Sequence, residues 1–169
     1  LLQAADPAAP APGEATRELV ATAQKLARER NSDPAVVSNA FAQVLAAADL
    51  SPEGRAQALL DLGRFYLGRN QAEAGRQFLT QAAAVPEAPT SVRVAALRAR
   101  ADVLFKDNFK GAFASYFTKG IDAAAEIHRQ ILALPGISNS DKIAACRDLA
   151  NCLLEKLDVD GANAMLKEA

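Results

Sequence analysis

His128, Cys146 and Cys152 are the residues of this chain best suited to carry a proton or an electron pair into a reaction, His128 being the one histidine. An imidazole beside a thiol can act as base and nucleophile, but only with a third group to orient the pair and donors for the developing oxyanion. No residues at a recognisable spacing supply either. A metal would need three or four ligands, and no carboxylate or cysteine stands at ligand spacing from His128. Gly111 and Gly120 lack the spacing and the following Lys-Ser/Thr of a phosphate-binding loop. The expectation is no catalytic residue, no metal, no cofactor and no enzymatic activity. The two cysteines lie six positions apart on one helical stretch, about 9 Å along the axis, which excludes a disulfide. Unpaired thiols suit a reducing interior and also occur as buried apolar groups elsewhere. Compartment therefore stays open between the cytoplasm and export to the periplasm of a bacterium.

A second group with chemical character is aromatic. Phe105, Phe109, Phe113, Tyr116 and Phe117 place five of the nine aromatics within thirteen residues, four of them at a spacing of four. On a helix that spacing forms one stripe, suited to docking on a neighbouring helix, on a partner, or on a second copy of the chain.

The rest of the composition limits what these residues can serve. With 169 residues, 50% hydrophobic, 23% charged and a net charge of -1, the chain reads as one soluble globular domain. The balance of 19 basic and 20 acidic residues removes the broad attraction that nucleic acid or an anionic membrane surface would need. No apolar run approaches the length of a membrane-spanning helix. Abundant alanine with no Trp and 5% aromatics favours closely packed helices over strands. Starting at Leu1 without a Met, the sequence reads as a mature product or a fragment. Residues 1–13, mostly Ala, Pro and Gly, have nothing patterned to pack and read as a flexible tether. Residues 14–169 form the domain.

Apolar spacings of three and four then predict helices throughout. Leu19, Val20, Ala23, Leu26 and Ala27 form one stripe. Asp33-Pro34 and Ser51-Pro52 are start signals, a capping side chain followed by a proline that loses no hydrogen bond. They precede the stripes Val37, Ala40, Phe41, Val44, Leu45 and Leu59, Leu62, Gly63, Tyr66. Helices follow from Gln71 to Ala84 and from Thr90 or Ser91, with Val94, Leu97, Ala101 and Leu104 inward. Residues 106–120 interrupt the pattern as an insertion, with a short helix over Phe109–Thr118. Ile121 to Leu134, then a helix capped by Ser140 or Asp141 with Ile143 and Cys146 inward, and a last one starting at Asp160 with Met165 and Leu166 inward, complete the chain. No alternating run suggests a strand.

Ala40, Val44 and Pro52 recur at one constant offset as Ala74, Phe78 and Pro86, and fixed-period similarity of this length marks a stacked array of helix pairs. Leu59, Leu62, Gly63 and Tyr66 with Ala74, Phe78 and Pro86 resemble the tetratricopeptide (TPR) repeat. Cys146, Leu149, Ala150 and Leu153 with Ala162, Leu166 and Ala169 resemble it again. The unit from Leu97 to Pro135 fits with an insertion spliced out, and the first unit fits in its second helix. The resemblance implies an all-α, right-handed α-solenoid of antiparallel helix pairs carrying a short aromatic helical insertion. It also implies an inner wall lined by Arg64, Arg98, Asp102, Arg147 and Asn151, a mostly cationic groove for a peptide or helix. The function expected is that of an adaptor for a protein or peptide partner. The alternative is a structural or self-association module that uses the aromatic insertion over 105–117, with a homodimer as its product.

Overall fold

The computed structural model describes residues 13–108 and 117–168. Within them the chain forms α1 (Glu14–Arg28), α2 (Pro34–Ala46), α3 (Pro52–Gly68), α4 (Ala72–Ala84), α5 (Thr90–Asn108), α6 (Phe117–Leu132), α7 (Asn139–Glu155) and α8 (Val159–Glu168). No strand occurs among the described residues. The expected start signals operate as read. Asp33 Oδ1 accepts from the Ala35 amide at 2.8 Å, and Ser51 Oγ accepts from the Gly54 amide at 3.0 Å, each with proline next in the chain. Two starts lie earlier than expected. Ser138, not Ser140 or Asp141, caps α7 by accepting from the Asp141 amide at 3.1 Å. Asp158 accepts from the Gly161 amide at 2.9 Å and so opens α8 ahead of Asp160.

Substantial helix packing joins sequence neighbours, with α3 also touching both α1 and α5. The buried apolar residues accordingly form three cores in a row. The first takes Ala23 from α1, Val37, Phe41 and Val44 from α2, and Leu62 and Phe65 from α3. The second takes Leu59 and Leu60 from α3, Leu79 and Ala82 from α4, and Val92 and Ala96 from α5. The third takes Leu97 and Ala101 from α5 with residues of α6, α7 and α8. Each helix pair exposes a side that the next pair covers, which is the organisation of a solenoid.

The register of the repeats differs from the one that aligns Ala40 with Ala74. Ala47 donates to the Val44 carbonyl as Val85 does to that of Ala82, and the buried set Val37, Phe41, Val44 corresponds to Gly75, Leu79, Ala82. The offset from Val37 to Gly75 exceeds that from Ala40 to Ala74 by about one helical turn, so an apolar stripe overlays nearly as well in either register. Leu134 donates to Ile131 in the same way, which aligns Ile131 of α6 with Ala82 of α4 and puts His128 in the place of Leu79. The α3–α4 and α7–α8 turns coincide as well. Gln71 and Asp158 donate to the Tyr66 and Leu153 carbonyls, and Asn70 and Leu157 share a left-handed backbone at φ 59° and 60°. Leu166 is therefore the counterpart of Leu79, where the sequence had suggested Phe78. The offset from Ala82 to Ile131 is longer than that from Val44 to Ala82, and the excess is the insertion. Its flanks belong to α5, which continues to Asn108, and to α6, which begins at Phe117; the short helix expected over Phe109–Thr118 falls largely outside the described residues.

Close approach of α3 and α4 explains one glycine the sequence reading missed. A Cβ on Gly63 would stand 2.9 Å from Leu79 Cγ, and one on Gly75 would stand 2.5 Å from Leu67 Cδ2 and 3.0 Å from the Gly63 carbonyl oxygen. The two glycines thus let the helices of this hairpin meet backbone to backbone.

Candidate functional site

The odd-numbered helices carry two adjoining hollows. The first, about 550 Å³, lies where the C-terminal end of α1 and the residues after it meet α3, and is lined by Gln24, Arg28, Glu29, Arg30, Asp61, Arg64, Phe65 and Arg69 among others. The second, about 320 Å³, is lined by Arg64 of α3, by Ser91, Val94, Arg98 and Asp102 of α5, and by Asp141 of α7. Arg64 forms part of both walls and is exposed.

The charges in the first hollow fall into two kinds. Asp61 is held by two neutral amides, accepting from Gln24 at 2.9 Å and from Gln57 at 2.8 Å. Arg69 donates to the Arg30 and Ser32 carbonyls at 3.0 and 2.8 Å and lies 5.0 Å over the Phe65 ring, so it fastens the α1–α2 connection to α3. Arg28, Arg30 and Arg64, in contrast, are exposed and make no ion pair among the described residues. Their guanidinium groups present forked donors, the geometry that holds a carboxylate bidentately.

Of the five residues expected along the inner wall, the structure gathers Arg64, Arg98 and Asp102 at the second hollow. Arg98 is already engaged, its Nη2 lying 3.0 Å from Asp148 Oδ2. Arg147 sits outside that hollow, with Nε 3.9 Å from Asp148 Oδ1. Asn151 is exposed on α7 and occupies, one unit on, the repeat position of Arg64 and Asp102. Arg98 and Arg147 share a different position, that of the buried Leu60. The expected set therefore mixes two rows of the helix surface. Asp148, Arg28 and Arg30 were missed. Asp148 shares the repeat position of Asp61, a correspondence already contained in the match of Leu59, Leu62, Gly63 and Tyr66 with Cys146, Leu149, Ala150 and Leu153.

The aromatic candidates divide in the same way. Phe105 is half-buried against the third core. Phe109, Phe113 and Tyr116 lie outside the described residues, and so does the side chain of Phe117.

His128 and the cysteines are core groups. His128 is 3% exposed and its Nδ1 has no hydrogen-bond partner among the described residues. Burial pushes the imidazole below its ordinary pKa, against the opposing pull of Asp148 and Asp102. Cys146 and Cys152 are both buried and unpaired, as the spacing required. Burial, helped by Asp148, pushes the Cys152 thiol up to about 11, which keeps it protonated and a poor nucleophile at neutral pH. Among the described residues no group of three or more His, Cys, Asp or Glu is arranged to hold a metal ion, and no helix is long and apolar enough to cross a membrane.

Stacked helix pairs, three cores in series and a hollowed face made by alternate helices define a TPR-like helical repeat fold. Solved structures agree. A Podosopora anserina chain of nearly identical TPR-like repeats, described as a putative kinesin light chain, is 20% identical over 91% of this chain and 72% of its own, with a TM-score of 0.56. A second structure described in the same terms is 18% identical over the same shares, also with a TM-score of 0.56. No protein-family model and no curated protein matches the sequence.

Proposed function

We propose that this chain is a protein-interaction module that holds an acidic peptide along the hollows of α1, α3 and α5. The observation that carries the reading is the position of Arg64, unpaired among the described residues and shared by both hollows, with Arg28 and Arg30 beside it. An extended peptide can lie across both hollows, place one carboxylate among the three arginines and rest its apolar side chains on Phe65, Val94 and Ala95. No chemistry is required of the site, which offers binding groups and no activated nucleophile. A fluorescein-labelled decapeptide alternating Glu and Leu is the probe. Anisotropy should show saturable binding that weakens about tenfold or more with Arg64→Glu, since each lost charged contact is worth about 1.5–3 kcal/mol. Equal affinity for wild type and Arg28→Glu/Arg64→Glu, at unchanged helicity, would reject the groove.

A further inference from the structure

Positive charge is not spread evenly along the hollowed face. Four arginines, Arg28, Arg30, Arg64 and Arg69, line the first hollow against two carboxylates, Glu29 and Asp61, a surplus of two positive charges in a chain of net charge -1. The second hollow sets Arg64 and Arg98 against Asp102 and Asp141 and is balanced. The counterparts of Arg64 on α5 and α7 are Asp102 and Asn151, so the repeat itself does not call for an arginine at this position.

The surplus survives because neither carboxylate is used against it. Asp61 and Arg64 stand three apart on α3, the spacing at which side chains on a helix are neighbours. Each Asp61 oxygen nonetheless accepts from a neutral amide, Oδ2 from Gln24 at 2.9 Å and Oδ1 from Gln57 at 2.8 Å. Glu29 lies between Arg28 and Arg30 in the chain, accepts from Ser32 Oγ at 3.4 Å, and pairs with neither arginine. Arg69 donates to two backbone carbonyls, which orient it without cancelling its charge. Those bonds also fasten residues 30 and 32 to α3, so the connection that carries Arg30 is held against the helix that carries Arg64. One stretch of wall is bare backbone, at Gly68, where nothing lies within 4 Å of a built Cβ.

A carboxylate placed here brings one negative charge and leaves part of the surplus unmatched. A phosphate monoester brings a charge of about −1.5 to −2 at neutral pH and three acceptor oxygens, which arginine forks hold bidentately. Resting on the groove reading above, we propose that the first hollow is a phosphate-monoester site for a phosphoserine or phosphothreonine of the bound peptide, with Arg28, Arg30 and Arg64 donating to the phosphoryl oxygens. The balanced second hollow, with Val94 and Ala95 in its wall, takes the uncharged residues beside the phosphorylated one.

The probe is the fluorescein-labelled Glu-Leu decapeptide with one central Glu replaced by phosphoserine, measured beside its unmodified parent. At pH 7.5 the phosphopeptide should bind about tenfold more tightly than the parent, the effect of one further charged contact. Arg28→Gln/Arg30→Gln, both at exposed positions, should reduce that ratio to about twofold or less. The second phosphate proton titrates near pH 6, so at pH 5.5 the ratio should fall about threefold, and the parent in the same buffers cancels changes in the protein itself. Equal affinity for the two peptides, or a ratio untouched by the double substitution, overturns the phosphate site and leaves the groove standing. Binding of neither peptide rejects both. Inorganic phosphate that displaces the probe as effectively as unlabelled phosphopeptide overturns a peptide-borne source.

Discussion

Replacing Gly75 by Ala tests how closely the helices of the central hairpin meet. In an open helix the change stabilises by about 1 kcal/mol, because Ala loses less backbone entropy. Here the new Cβ would lie 2.5 Å from Leu67 Cδ2, 2.7 Å from Leu67 Cγ and 3.0 Å from the Gly63 carbonyl oxygen. Leu67 is partly buried against the second core and borders a hollow, so its side chain has some room to shift, but the Gly63 carbonyl is backbone of α3 and cannot retreat without opening the hairpin. Overpacking of this kind costs about 1–3 kcal/mol, leaving a net loss of up to about 2 kcal/mol after the propensity gain. Gly68 is the internal control, since nothing lies within 4 Å of a Cβ built there. Gly68→Ala should gain a few tenths up to about 1 kcal/mol. For a domain of this size each kcal/mol moves the melting midpoint by about 2–4 °C, so circular dichroism melts should separate the variants with opposite signs. If Gly75→Ala raises the melting midpoint as Gly68→Ala does, the close approach of α3 and α4 is wrong.

Three further outcomes follow from buried or paired groups. His128→Leu places at that position the residue its counterpart Leu79 already is, and removes the unpartnered Nδ1; urea unfolding should show a gain of about 1 kcal/mol at pH 7. The unfolded imidazole titrates near 6.5 and the folded one lower, so the unfolded chain binds the proton first as pH falls. Stability should therefore decline as pH drops below about 6.5, with Asp102 and Arg98 of α5 and Asp148 of α7 as the facing charges, and His128→Leu should flatten that slope. Asp148→Ala releases Arg98 from a partly exposed pair worth about 0–1 kcal/mol, so it should tighten binding of the Glu-Leu decapeptide at little cost in melting temperature. Cys152 should react with a thiol reagent at pH 8 far more slowly in the native chain than in urea, because its thiol is pushed up to about 11 and is buried; equal rates would contradict the packing of α7.

Much of the fold was legible because helices announce themselves locally. Asp33-Pro34 and Ser51-Pro52 carry their own start geometry, and stripes such as Val37, Phe41, Val44 need only a period to be seen. The register between units was less legible, since a shift of one helical turn preserves a stripe. Pro52 and Pro86 coincided in the shorter register although Pro52 begins a helix and Pro86 lies before one. Hydrogen bonds across the turns, such as those to the Tyr66 and Leu153 carbonyls, fix the true spacing, and no residue type encodes them. The site was misread for another reason, since the odd-numbered helices match in their true register from sequence alone. Arg64, Asp102 and Asn151 directly follow a small residue of that register while Arg98 and Arg147 stand three places before it, so the expected set drew on two rows. Arg28 and Arg30 looked like the solvated end of α1, and only the approach of α3 makes them a wall. Ile143 and Leu166 belong to apolar stripes, yet they are 47% and 49% exposed, which a stripe alone does not reveal.

The most direct test of the groove is an amide chemical-shift titration of the chain with the Glu-Leu decapeptide. Shifts concentrated on Gln24, Arg28, Asp61, Arg64 and Arg98, across three helices that share two hollows, are the predicted result. Shifts confined to α2 and α4, or none at saturating peptide, would contradict it.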